Sequence, residues 1–384
     1  MTYLRNILSS IWYGNLHLRD SDRQKLILVV ISVVGFLAWL IPQPIISDFR
    51  SIVEADSARV FYMAKDLVLD SVSAPLASIL VAGLVVRAVF VILVGCADMI
   101  FYRRVSGRPF DYQGMFNISM VNLFLVFGGL FAFFNSDIQS LLEHYDELVQ
   151  SVPTLIELNG VVALVVSMLI GDFCFYWSHR LCHNVRFFWN LGHIYHHRNR
   201  NLTQLTCAIE PTSVLLQAAG GLTLVVLPLL SKLFTSNIQN AGWALVVVMI
   251  VDVLVDPSHS PVLYRIESRS RILKSLRWFF VTVGVHYTHH SREEKHNIHS
   301  GCNFGARLTI WDRLFGTYRE PDDELPEAGL FSDTADYCMN PVRYILQPFV
   351  RMSDELRRNN IIHWPMILFG PTTYQPPNQS PVKP

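Results

Sequence analysis

The chain has 384 residues, of which 51% are hydrophobic and only 16% charged. That balance excludes an ordinary soluble protein of this size, and it favours one helical membrane domain with soluble ends over the two or three soluble domains that length alone suggests. Formal net charge is zero, so a nucleic-acid partner has no global electrostatic support.

Residues 1–24 carry scattered charge and no apolar core, so no cleavable signal peptide is expected. A membrane-spanning helix needs ~20 mostly apolar residues. The first candidate is Leu26–Ile41, stopped by Pro42 and Pro44. The second, Ala74–Ile100, contains Arg87, which must snorkel, pair or face the bundle interior. Phe116–Phe134 is the third, and the fourth, Val161–Tyr176, leads directly into a run of histidines. Thr212–Leu230 and Trp243–Val255 read as a hairpin. Basic clusters precede the first span and follow the second, fourth and sixth, while the loop between the third and fourth is acidic. Six alternating spans put every basic cluster on one side, the cytoplasmic side; with one pair re-entrant the count falls to four.

After Pro257 the chain is polar. Arg351–Asn359 begins a surface helix, and Ile361–Phe369 is apolar but too short to span, which suits an interfacial contact. The expected division is an N-terminal membrane region of about three spans over 1–150, a catalytic domain over 151–320, and a cytoplasmic tail over 321–384. The fold class is all-α: an integral-membrane bundle of about four to six spans with a cytoplasmic helical cap. The six cysteines (96, 174, 182, 207, 302, 338) form no C-x-x-C pair and read as reduced thiols.

The chemistry lies in the histidines. His179 and His183 are four apart, on one face of a helix, and the same count backwards reaches Tyr176 and Asp172. His193, His196 and His197 are spaced i, i+3, i+4, and His286, His289 and His290 repeat that spacing. His259 lies just past the sixth span. Neutral imidazole is a common metal ligand, and a pair at i, i+4 can grip one ion. Nine imidazoles are too many for one ion and suit two. Behind such ligands a carboxylate or carbonyl usually accepts from the second ring nitrogen, and Asp172, Asp252 and Asp256 are candidates. His296 and His299 lie in a charged stretch that reads as a solvated loop, and Cys182 reads as a buried neighbour.

The segments "DFCFYWSHRLCH", "LGHIYHH" and "HYTHH" together resemble the histidine boxes of the fatty acid hydroxylase / sterol desaturase superfamily. The "NFG" at Asn303–Gly305 and the "IWDRLFGTY" that follows at Ile310–Tyr318 resemble the stretch after the third box. The likeness covers roughly Val161 to Tyr318. It implies metal ligation by His179, His183, His193, His196, His197, His286, His289 and His290, with His259 as the extra ligand between the second and third boxes. Asp172, Tyr176 and Asn303 are expected to support them from behind. The likeness also implies two iron ions, O2 as cosubstrate, and a C–H bond of a fatty acyl, sterol or related lipid that is hydroxylated or desaturated, with ether-lipid cleavage by hydroxylation beside the ether oxygen as a third outcome. No nucleotide loop or haem attachment is present, so electrons are expected from cytochrome b5, a ferredoxin or a reductase. The basic face around Arg180, Arg198, Arg269 and Arg271 could steer such a donor or meet anionic lipid. The membrane would be the endoplasmic reticulum or a bacterial inner membrane. A metal transporter would want ligands near the bilayer midplane, and a zinc hydrolase would want an H-E-x-x-H base; neither pattern is present.

Overall fold

A computed structural model describes residues 74–110, 138–198, 201–205, 226, 228–236, 258–296, 300–330 and 341–378. Among these residues the chain is helical, and its β-structure is confined to three isolated bridges. The candidate spans at 26–41, 116–134 and 243–255 lie outside the described residues, as does most of 212–230. The second and fourth candidates fall within helices α1 (Ala74–Ser106) and α3 (Gly160–Asn184). Among the residues described in full, no helix is long and apolar enough to cross a membrane. The side chains of residues 74–88, Arg87 included, lie outside that set.

Helix α2 (Ile138–Ser151) precedes α3. Asn159 caps α3, its side chain accepting from the Val162 amide at 3.0 Å and satisfying one of the free N–H groups of the first turn. The helix then runs unbroken through Asp172, Tyr176, His179 and His183, all buried. Val185 is extended and pairs with Pro371 in a β-bridge, which turns the chain back towards the core. A single turn, α4 (Arg186–Phe188), leads into a π-helical turn over Trp189–His193 and then α5 (Ile194–His197). A π turn inserts one extra residue, and here it sits directly before the second histidine box.

Helices α6 (Pro261–Arg269), α7 (Arg271–Leu276) and α8 (Val283–His289) follow, capped by Ser260, Ser270 and Thr282. A small core of Leu202, Tyr264, Val283, Tyr287 and Ala328 locks α6 against α8, with the two tyrosine rings edge-on at 5.6 Å. Helix α9 (Ile310–Leu314) packs on α3. Beyond Glu320, expected to be tail, α10 (Pro341–Arg358) packs on the π turn and α11 (Trp364–Phe369) on α4. The surface helix expected from Arg351 thus begins ten residues earlier and is part of the folded body.

Candidate metal centre

All nine histidines expected as ligands converge, and they divide into two groups. His179, His183, His193, His197 and His289 bring one ring nitrogen each within 4.8 Å of one another; His196, His259, His286 and His290 do the same. The division follows from helix geometry. On a helix, residues four apart sit about 40° apart around the axis, whereas residue i+3 lies about 100° from i+4. The second box therefore gives His193 and His197 to the first group and His196 to the second. The third box gives His286 and His290 to the second group and His289 to the first.

Ring orientation in the first group is set by one strap of main chain. His183 Nδ1 lies 3.0 Å from the Ser300 carbonyl, His289 Nδ1 2.7 Å from that of Cys302, and His179 Nδ1 2.8 Å from that of Phe304. A carbonyl can only accept, so each Nδ1 carries the proton and each Nε2 presents a lone pair inwards. His183 Nε2 and His289 Nε2 are buried and meet no hydrogen-bond partner, an arrangement that costs about 1–3 kcal/mol per group when nothing is bound. His179 and His197 bring their Nε2 atoms to 2.9 and 3.2 Å from His193 Nε2. In the second group the Nε2 atoms of His259, His286 and His290 form a triangle with edges of 2.8, 3.1 and 3.3 Å. Nitrogens about 2.1 Å from a shared ion, at right angles to one another, would lie about 3 Å apart. The donors present therefore fit transition-metal ions, in an all-nitrogen set that suits iron, zinc or copper.

Burial acts in the same direction. It holds His179 down to about 3 and pushes His183, His193, His197, His289 and His290 well below the ordinary histidine value, with neighbouring imidazoles adding to the effect. Near neutral pH these rings are neutral, which is the form that donates to a metal.

Asp172, Tyr176 and Asn303 bond to groups other than the histidine rings. Asp172 meets no histidine: its carboxylate accepts from the amides of Arg307 and Leu308 and from Trp311 Nε1, with the Arg307 guanidinium at 3.5 Å. Tyr176 bonds Thr317 and Arg180 and stacks on Phe315. Asn303 ties Val285 and Arg319 together through main-chain bonds. All three brace the scaffold, and at His179, His183 and His289 a backbone carbonyl fills the Nδ1 position that a carboxylate would have taken. Asp252 and Asp256 lie outside the described residues. His296, expected in a solvated loop, is buried against Ser291 and Asp322; His299 is outside the description. Cys182 is buried, as expected. Arg198 is buried over the Tyr195 ring and cannot greet a partner, whereas Arg269 and Arg271 are exposed.

Three carboxylates the sequence did not single out hold the ligand-bearing segments. Asp312 accepts from the Phe304 and Gly305 amides at 2.7 and 2.8 Å and from the Thr317 hydroxyl, fixing the carbonyl strap. Asp98 on α1 accepts from Ser260 Oγ, the Val262 amide and the Gln204 amide, and Gln204 Oε1 in turn accepts from the His259 amide. Glu267 takes Arg277, Thr282 and the Gly284 amide, and so holds the start of α8. A methyl at Gly284 would sit 2.6 Å from Glu267 Oε1. In the sequence Asp312 and Glu267 stand three residues from a cap, Thr309 and Ser270, whereas Asp98, within the apolar run of α1, carries no signal.

Residues 164–317 match the family model described as fatty acid hydroxylase. That stretch is therefore similar to the fatty acid hydroxylase family, and both histidine groups lie inside it. The chain is 48% identical over 40 residues to a Delta(7)-sterol 5(6)-desaturase of Eremothecium gossypii, covering 10% of this chain and 11% of that protein. It is 27% identical over 150 residues to an alkylglycerol monooxygenase of Xenopus tropicalis, covering 38% of this chain and 28% of that one. The chain thus spans less than a third of the length of these curated relatives. No solved structure matches it significantly.

Proposed function

We propose that this protein is a membrane-associated, O2-dependent lipid oxidase that works with two iron ions and hydroxylates a C–H bond of a fatty acyl, sterol or related lipid. His179, His183, His193, His197 and His289 would hold one ion, and His196, His259, His286 and His290 the other. The observation that carries this reading is the convergence of nine imidazoles with their inward nitrogens gathered in two groups and, at His183 and His289, unpartnered. When bound, two irons would supply the chemistry for reducing O2, so that one oxygen atom would enter the C–H bond and the other would leave as water, with two electrons from an external donor and two protons taken up.

The chain's own part is to present neutral donors, orient them and exclude water. Burial keeps the rings neutral. The carbonyls of Ser300, Cys302 and Phe304 fix three of them. Phe304 and Trp189 pack against the rings of the first group and give it an apolar wall. Arg269 and Arg271, exposed where α6 meets α7, are suited to an acidic electron donor such as cytochrome b5, a ferredoxin or a reductase.

Two variants of this chemistry draw on the relatives. Likeness to a sterol desaturase supports loss of two hydrogens, with both oxygen atoms leaving as water. Likeness to an alkylglycerol monooxygenase over 150 residues supports hydroxylation beside an ether oxygen. Lipidomics of cells with and without the gene separates them: hydroxylation adds one oxygen to a lipid class, desaturation removes two hydrogens, and ether cleavage depletes alkyl lipids. Purified protein that oxidises lipid without bound metal would refute the proposal.

A further inference from the structure

We propose that the C-terminal segment 341–378, which lies outside the part of the chain that matches the hydroxylase family, is a positioning element of the histidine centre and acts through Thr372 on His183. This rests on the reading that the five-histidine group holds a metal ion.

Thr372 Oγ1 stands between a ligand and the loop that aims it. It donates to the His183 carbonyl at 2.8 Å and lies 3.0 Å from Ser300 Oγ. Ser300 in turn offers its carbonyl to His183 Nδ1. One hydroxyl thus links the main chain of His183 to the residue that orients the His183 ring. Ser300 needs such a hold, because its φ of 69° is in the left-handed region, which a residue with a Cβ leaves unless its surroundings fix it. Gly301, at φ 145°, has no room for a side chain either: a Cβ there would lie 3.1 Å from His183 Nδ1. The loop therefore presses closely on the ligand, and Thr372 is its outer support.

The support is itself anchored beside the ligands. The Thr372 amide donates to the Asn184 carbonyl, and the Arg186 amide to that of Gly370, both at 3.1 Å. Arg186, three residues after His183, is buried, and its guanidinium reaches the carbonyls of Ile367 and Tyr374 and the carboxylate of Glu355. All those partners belong to the C-terminal segment, so its removal would leave a buried unpaired charge. On α10, Arg351 donates to Asn190 Oδ1 at 2.6 Å and Gln347 accepts from Arg198 at 3.2 Å; both contacts flank the second histidine box. The C-terminal segment therefore grips the chain at the end of the first box and on either side of the second, and Thr372 touches a ligand residue directly.

The test uses the full chain in detergent, stripped of metal and titrated with Co2+ alone, with uptake followed by visible absorption. Thr372→Val keeps the shape and removes the hydroxyl. It should weaken one of the two uptake steps by about 10–100-fold, the usual effect of losing a group that orients a ligand, while Thr372→Ser restores wild-type uptake. A merely structural brace would lower the melting temperature of the metal-free protein and leave Co2+ affinity of the folded protein unchanged, and that result overturns the proposal. Should Thr372→Val fail to fold, Arg351→Gln on the exposed side of α10 serves instead. Weakened uptake at one step supports the proposal, and unchanged uptake overturns it. Wild-type protein that takes up no Co2+ overturns the metal reading itself and this proposal with it.

Discussion

The rings of His197 and His290 lie stacked, 4.3 Å between centroids and 22° between planes, although one belongs to the five-histidine group and the other to the four. They are the last residues of two boxes with the same i, i+3, i+4 spacing. Each box sends its i, i+4 pair to one group and its middle histidine to the other, so neither group can form from one box. Among the described ring contacts between the two groups, the stack is the shortest.

Histidines that serve one group alone should separate the two sites. His259 pairs by ring nitrogen with His286 and His290 and meets no member of the five-histidine group in those bonds. His259→Ala should lower bound metal from about two ions per chain to about one, judged from ligand number and measured by elemental analysis of purified protein. His289→Ala should remove the other ion, and either variant should lose lipid oxidation. Two ions retained in His259→Ala would take that residue out of the ligand set.

Asp312 should be as necessary as a ligand without touching one. It accepts two amide hydrogens and a hydroxyl at the strap whose carbonyls orient His179, His183 and His289. Asp312→Ala leaves two buried amides unpaired, each worth about 1–3 kcal/mol, and leaves the Thr317 hydroxyl with Tyr176 alone. The expected result is a loss of several kcal/mol in denaturant unfolding together with loss of metal. Stability and metal content equal to the wild type would show that the strap holds itself.

The histidine groups were legible because ligand spacing on a helix is a short-range property: i, i+4 fixes a shared face wherever the helix lies. Helix was likewise legible at Val161–Tyr176, where an apolar run led into the first box. The supporting residues were not legible, because they act over long sequence separations. Nothing near His183 announces Ser300 or Thr372, and nothing near His259 announces Asp98. Asp172 misled for a related reason: it shares the stripe of His179 and His183, yet a carboxylate two turns away on the same helix points at what packs there, and that is the 307–311 segment. Residues 341–378 looked like tail because their pattern is polar and Pro-punctuated, whereas their place is set by Arg186 on another element.

The pair Glu267–Arg277 offers a test by exchange of partners. Both side chains are nearly fully buried, and Glu267 also holds Thr282 and Gly284 at the start of α8. Removing one partner of such a pair commonly costs about 3–5 kcal/mol, because the other charge is left buried. Arg277→Met should therefore destabilise strongly, and Glu267→Gln together with Arg277→Met should recover part of that loss. The double variant should still bind metal less well than wild type, since a Gln keeps only part of the contact with Thr282 and Gly284. A double-mutant cycle in thermal unfolding measures the coupling, and additive effects would show that the two do not act as a pair.

Acid should undo the metal-free protein at mildly low pH. Burial lowers the pKa of His179 to about 3 and drives those of His183, His193, His197, His289 and His290 well down. Above about pH 6.5, the free histidine value, these rings are neutral in folded and unfolded chain alike, and their titration adds nothing. Below it the unfolded chain takes up protons and the folded chain does not, so stability falls as pH falls, by up to about 1.4 kcal/mol per pH unit for each ring. Six rings acting together would exhaust a typical total stability of about 5–15 kcal/mol within about two units. The melting temperature of metal-free protein, followed by near-ultraviolet circular dichroism, should therefore drop steeply between pH 6.5 and about pH 4.5. Bound metal needs the same neutral nitrogens and competes with protons for them, so the loaded protein should hold its melting temperature to lower pH. A metal-free melting temperature that stays flat across that window would mean that the rings are not held neutral by burial, and that water reaches the centre.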